Sequence, residues 1–281
     1  MDDDSVQRWH LLYSPLRYVF GDRLIVMHGR KYPLRRFFTI ILAAAMSASV
    51  AQGDLFCELG ILSPATLEGN NPATGEPWQV GDQYRLVFVS NGTVDPQNSS
   101  ADDIEYWNDA VQAFADNATG HDLSGVEWRI IGSTGDIDAR DNTETNTNVV
   151  EGVGNAIFAM DGSSVIENNY VDLWDGEAPV GRPVWTQNAG EHMDVVGGLA
   201  EYPLTGTHWS GTAAAANLRL RDLSGGGNIR QGMNRDTGDG AGWIDAFNIG
   251  AAWSSSSALP VYGMSMPLEI VGPSASVIIV Q

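Results

Sequence analysis

Beyond Gly120 the apolar residues of this chain come only in short pieces cut by glycine: Ile157-Phe158, Val165-Ile166, Val184-Trp185 and Val261-Tyr262-Gly263-Met264. No second long amphipathic helix fits that pattern, although Ala213 to Leu220 has the composition of a short one. Tryptophan recurs through the same region among Asp, Gly and Thr, at Trp174, Trp185, Trp209, Trp243 and Trp253. Thirty-two glycines and a charged fraction of 18% reinforce the pattern. Short strands, many turns and one core are the expected outcome, not a helical bundle.

The regular elements lie earlier. Tyr84-Arg85-Leu86-Val87-Phe88-Val89-Ser90 reads as a buried strand stopped by Asn91-Gly92. A helix is expected over residues 102–118, with Ser100 as cap and Asp103 three residues on. Its buried face would carry Ile104, Trp107, Val111, Phe114 and Ala118. Val126-Glu127-Trp128-Arg129-Ile130-Ile131 is the next strand, and the polar run from Ser133 to Asn148 is expected to be a long surface loop.

The amino-terminal region carries an address. Arg30, Lys31, Arg35 and Arg36 follow Met27, then comes an apolar run from Phe37 to Val50 and small residues at Ser49 and Ala51. These are the parts of a secretory signal, with removal expected after Ala51. The run is shorter than the ~20 residues of a spanning helix. Residues 1–26 fit neither an n-region nor a folded unit, so they are expected to be an extension ahead of the true start at Met27. The remaining divisions are expected to be a segment at 52–81, a single domain at 82–267 and a C-terminal tail at 268–281, whose apolar end is either a last strand or loose and is too short for a membrane anchor.

Charge narrows the partners. Of 35 acidic and 15 basic residues, 4 and 7 precede Gln52, which leaves 31 Asp or Glu against 8 Arg in the exported part. A nucleic-acid partner is excluded, since phosphate contacts need a basic face. Cys57 is the only cysteine, so the chain has no internal disulfide.

Enzyme chemistry finds no pattern to rest on. His121, His192 and His208 form no metal motif, no Gly-x-Ser-x-Gly elbow occurs, and Gly225-Gly226-Gly227 lacks the lysine of a phosphate loop. Asp172 with Asp175 is a carboxylate pair of the kind a glycosidase uses, but an acidic chain supplies such pairs by chance. No enzyme is expected.

Two acidic loops have the hard oxygen donors that calcium prefers: Asp136, Asp138, Asp141 and Glu144 in one, and Asp236, Asp239 and Asp245 in the other. The second set is the candidate metal site. Trp243 lies inside that glycine-rich loop and is expected to remain accessible, so Trp243, Asp239 and Asp245 are the candidate ligand contacts. Trp174, Trp185 and Trp209 are expected to pack beneath the long loops, and Trp253 to close the core.

Several short motifs occur in a telling order. Arg85 to Thr93, the helix from Asp102 to Ala118, Trp128-Arg129-Ile130-Ile131, Asp138-Ala139-Arg140-Asp141-Asn142-Thr143, Asp172-Leu173-Trp174-Asp175-Gly176, Trp209-Ser210-Gly211-Thr212 and Val261-Tyr262-Gly263-Met264-Ser265 follow one another. The ordered set resembles the secreted bacterial endostatin-like domains, a branch of the C-type-lectin-like fold related to domains of exosortase-sorted surface proteins. The resemblance spans about residues 82–267. It implies a single α+β domain with one main early helix and short, irregular strands, working outside the cell or in the periplasm. It further implies a non-catalytic binding or matrix-associated module that meets an extracellular glycan. The alternatives are a structural surface protein with a protein partner and a glycosidase-like enzyme. The Glu-Pro-Asn and Gln-Pro-Asp motifs of calcium-dependent sugar readers are absent, and Trp107-Asn108-Asp109 falls within the early helix.

Overall fold

A computed structural model describes residues 55–177, 179–193, 202–216, 218–221, 228–233, 243–245 and 258–272, with the backbone of residues 17–20 and 23–26. The chain divides into two units, Met1–Gln52 and Gly53–Gln281. In the first, β1 (Arg17–Phe20) and β2 (Arg23–Val26) pair antiparallel, so part of the stretch expected to lack any folded unit forms a hairpin.

The second unit is α+β, built on a mixed seven-stranded sheet. Its centre is β4 (Gln83–Val89), close to the expected strand. Tyr84, Leu86 and Phe88 face one core cluster, while Val87 and Val89 face another. Burial on both faces explains why the strand reads as a nearly continuous apolar run. One edge of β4 pairs in parallel with β6 (Ala156–Ala159), which pairs antiparallel with β7 (Val165–Glu167). The other edge is shared by two strands in tandem: β8 (Tyr262–Ser265) pairs with Val87 to Val89, and β9 (Leu268–Val271) with Gln83 and Tyr84. Between them the ladder is interrupted, and the Leu86 N–H donates to Ser265 Oγ at 3.0 Å. Beyond β8 lies β5 (Trp128–Ile130), and beyond β9 lies β3 (Phe56–Cys57).

Residues on both sides of 82–267 enter the same core. α1 (Pro64–Glu68) starts on Ser63, whose hydroxyl accepts the Thr66 N–H, with Pro64 in the first turn, where its missing donor costs nothing. Leu67 and Trp78 are buried with Leu86 and Phe158, and the Trp78 indole donates to Thr66 O at 3.1 Å. Cys57 is buried here too, its sulfur accepting the Leu62 N–H. The closing segment, read as either a last strand or a loose tail, supplies β9.

α2 (Ile104–Asp116) covers one face of the sheet, against β5 and β8. Its cap is Asp103, whose carboxylate accepts the Glu105 N–H at 3.1 Å, and not Ser100. The buried stripe is Ile104, Trp107, Val111 and Ala115. Phe114 and Ala118 are only half-buried, because Ala115 continues the spacing from Val111 while the helix stops at Asp116. Helix and sheet approach closely at Gly263, where an added Cβ would lie 2.5 Å from the Phe88 ring and 2.7 Å from the Val111 side chain. Glycine is therefore the residue that lets Val111 reach the sheet.

The opposite face is covered by chain with little regular structure, including α3 (Ala139–Asn142) and α4 (Tyr170–Leu173). Val87, Val89, Ile157, Ala159, Tyr262 and Met264 point into this layer. Among the described residues no helix is long and apolar enough to cross a membrane.

Candidate functional site

The loop layer solves a problem the helix layer does not have. Backbone that is neither helix nor strand leaves donors and acceptors that must be paired once water is excluded. The run from Ser133 to Asn148 does this with its own side chains: it is exposed at residues 135–137, 141, 144, 147 and 148, as its polarity suggests, and interior between them. Ser133, Thr134, Asn142, Thr143 and Thr145 are all buried. Ser133 Oγ accepts the Ala139 N–H at 2.8 Å, and Asn142 donates to Ile130 O at 2.9 Å. The Thr143 hydroxyl donates to Ala139 O, and Thr145 Oγ1 accepts the Trp174 indole N–H at 2.9 Å.

The carboxylates of this run do not converge. Asp138 accepts the Ala213 N–H at 2.6 Å and lies 3.7 Å from the Arg140 guanidinium. Asp141 accepts from Asn146, and Glu144 pairs with Arg129 at 3.2 Å. Among the described residues no group of three or more His, Cys, Asp or Glu is arranged to hold a metal ion.

The second acidic loop is described only in part. Asp236 and Asp239 lie outside the described residues, as does Trp253. Trp243, expected to be accessible, is instead 2% exposed. Its ring packs edge-on against Tyr262 with centroids 5.3 Å apart, and its indole N–H donates to Glu167 Oε1 at 3.2 Å. The partners that satisfy an indole in the interior are all supplied, so nothing keeps Trp243 at the surface. Asp245 is buried as well. It forms an ion pair with Arg230 and accepts the Trp209 N–H at 3.1 Å, so its oxygens are spent on the protein itself.

Trp209 takes the exposed role. It was expected beneath the loops, yet it is 40% exposed. It sits at the tip of a tight turn in which the Gly211 N–H reaches His208 O at 2.9 Å and Gly211 adopts φ +77°, a conformation that favours glycine. His208 packs beside it at 4.8 Å and is itself held to Ser210 at 3.0 Å. The edge of the indole lies over Gly176, where an added Cβ would come within 2.8 Å of the ring. The signal was present in Trp209-Ser210-Gly211-Thr212: a bulky aromatic within a tight turn has no neighbouring strand to cover it.

Near this turn α3 borders a cleft of about 590 Å³. Arg140 is common to both, since it lines the cleft and its Cβ lies against Gly211. Arg85 and Tyr170, 1% and 2% exposed, form the innermost wall. The Arg85 Nε–H donates to Tyr170 Oη at 2.5 Å, Nη1 to Ser265 O at 2.9 Å and Nη2 to Glu144 O at 3.4 Å, and the guanidinium carbon lies 5.1 Å from the Tyr170 ring centroid. Burial draws the Arg85 pKa below the usual arginine value, while Tyr170 works in the opposite direction. Among the described residues Glu144 alone, apart from glycines, has a positive φ, 53°, and this turn brings its carbonyl to Arg85. Arg85 was also legible in principle, because an arginine within a strand buried on both faces must be held inside by neutral acceptors or a counter-charge.

One acid is strongly perturbed. Glu167 is 4% exposed, and burial pushes its carboxyl up to about 8, with the Trp243 hydrogen bond opposing and Asp175 and Asp172 adding to the rise. Trp243 covers it, so it does not line the cleft.

The fold and site thus define an α+β unit with a cleft of mixed polar and apolar lining and an exposed indole. No known protein-family model matches the chain, and no curated protein matches its sequence.

Proposed function

We propose that this chain is a secreted, non-catalytic binding module of the C-type-lectin-like, endostatin-like kind, and that it contacts extracellular polysaccharide or glycoconjugate through the loop face. The observation that carries this reading is Trp209, a large aromatic held rigidly yet 40% exposed, beside a cleft rich in amide and guanidinium donors. Sugars present C–H faces that stack on an indole and hydroxyls that take hydrogen bonds, and this surface offers both. One long helix on one side of the sheet and an irregular loop layer on the other agree with the fold that the ordered motifs resemble.

A glycan array tests the proposal. The protein should bind a defined subset of glycans, and Trp209→Ala should weaken binding at least about fivefold, as expected for the loss of a stacking aromatic. Trp243→Phe should not act through the ligand, since Trp243 is interior. Silence across the array would favour a protein partner and remove the carbohydrate reading. Hydrolysis of a labelled polysaccharide would replace it with a glycosidase.

A further inference from the structure

The hydrogen-bond arithmetic at the inner wall of the cleft does not close. A guanidinium has five N–H donors, and Arg85 has three acceptors: Tyr170 Oη, Ser265 O and Glu144 O. All three are uncharged. Tyr170 Oη accepts from Arg85 and also from Asn155 Nδ2 at 3.0 Å, which fills both of its lone pairs. Its own O–H proton then has no acceptor among the described residues. Among the described residues, two N–H bonds of a buried cation and one phenolic O–H thus find no partner, at a wall that lines a cleft large enough for one monosaccharide.

Three carboxylates line the same cleft, and none hydrogen-bonds to Arg85, although the Glu144 charge acts on the guanidinium and favours its charged form. Glu144 is turned to Arg129, Asp141 accepts from Asn146, and Glu151 stands exposed. A compact anion with two acceptor oxygens answers the surplus, and a planar carboxylate matches a guanidinium best. The net charge of −20 works against polyanions, so a ligand carrying one carboxylate on an otherwise neutral body is favoured.

We propose that this cleft binds the carboxylate of an acidic sugar, seated on the Arg85 guanidinium and the Tyr170 hydroxyl. The inference rests on the carbohydrate-binding reading above and names the substrate class for the same face. The same chemistry would also accept a free carboxylic acid.

Titration calorimetry of the full chain with galacturonate, galactose and acetate tests it. Galacturonate should bind at least about tenfold more tightly than galactose, the weight of one charge-assisted hydrogen bond, and the preference should shrink with added salt. Tyr170→Phe keeps the ring under the guanidinium but removes the hydroxyl, and should lower galacturonate affinity about tenfold while leaving galactose unchanged. Acetate binding as tightly as galacturonate would support the carboxylate seat but assign it to free acids. Equal binding of galacturonate and galactose, or no binding of galacturonate by the wild-type chain, overturns the proposal. That selectivity is read on the wild type, so it stands even if Tyr170→Phe fails to fold. Glycan-array binding that depends on Trp209 but shows no preference for acidic sugars would sink the carboxylate seat alone and leave the module reading intact.

Discussion

The two faces of the sheet are buried by opposite means. On the helix face, Leu86, Phe88, Trp107, Val111, Trp128 and Phe158 make an apolar core beneath an element that satisfies its own backbone. On the loop face, Val87, Val89, Ile157, Tyr262 and Met264 are covered by irregular chain, and Ser133, Thr143, Thr145, Thr205 and Thr207 are buried with them. Their hydroxyls do work that helix and ladder bonds do on the other side. Thr205 donates to Ile244 O at 2.8 Å, and Thr207 to Thr205 O at 2.8 Å. Irregular chain can therefore be interior when its sequence carries short hydroxyl and amide side chains in sufficient number. The same freedom from regular geometry lets this face present a cleft and an exposed indole.

The sharpest way to separate the two modes is to damage each. Trp107→Ala should cost about 3–5 kcal/mol in urea unfolding, since it empties a fully buried ring site and leaves Ala101 O without its indole donor. A loss below 1 kcal/mol would mean that the helix face is not the main core.

A second measurement probes the loop face through pH. Glu167 is raised from 4.5 to about 8 in the folded protein, so between those values the folded state holds a proton that the unfolded state releases. Its contribution is complete below the unfolded value and is lost as pH rises through about 8. Stability should therefore fall with a slope of up to about 1.4 kcal/mol per pH unit in that window. Glu167→Gln, which keeps an acceptor for Trp243, should flatten the slope. An unchanged slope in the variant would show that Glu167 is not the group responsible.

The smallest expected effect concerns the hydroxyls. Thr143→Val keeps shape but removes the bonds to Ala139 O and Thr145, and should cost about 1–2 kcal/mol. A neutral or stabilising outcome would erase the distinction between the faces, because a loop threonine would then behave like any apolar core residue.

The difference between the faces also explains what could be read from the sequence. β4 and α2 were legible because their apolar spacing is set by their own geometry, although the cap is Asp103 and not the expected Ser100. Only the exposed part of the run 133–148 was legible, since a polar segment inside and one outside have the same composition. What distinguishes them is whether Asn142 finds Ile130 O and Thr145 finds Trp174, which is decided by distant chain. Trp243 and Trp209 exchanged roles for the same reason. A glycine-rich flank describes the backbone of Trp243 and not the Tyr262 and Glu167 that enclose it. In the cleft, Arg85 could have been noticed as a charge in a buried strand and was not, whereas its pairing with Tyr170 joins residues 85 positions apart and left no local mark.

The tandem edge of β4 sets a timetable. Strands β8 and β9 dock on a strand made far earlier, and Arg85 waits for the carbonyl of a residue 180 positions later. Contacts of such range are slow to form, and none can form before the late strands exist. An emerging chain can therefore pair one edge of its central strand with β6 early, while the other edge stays open until residues 262–271 are released.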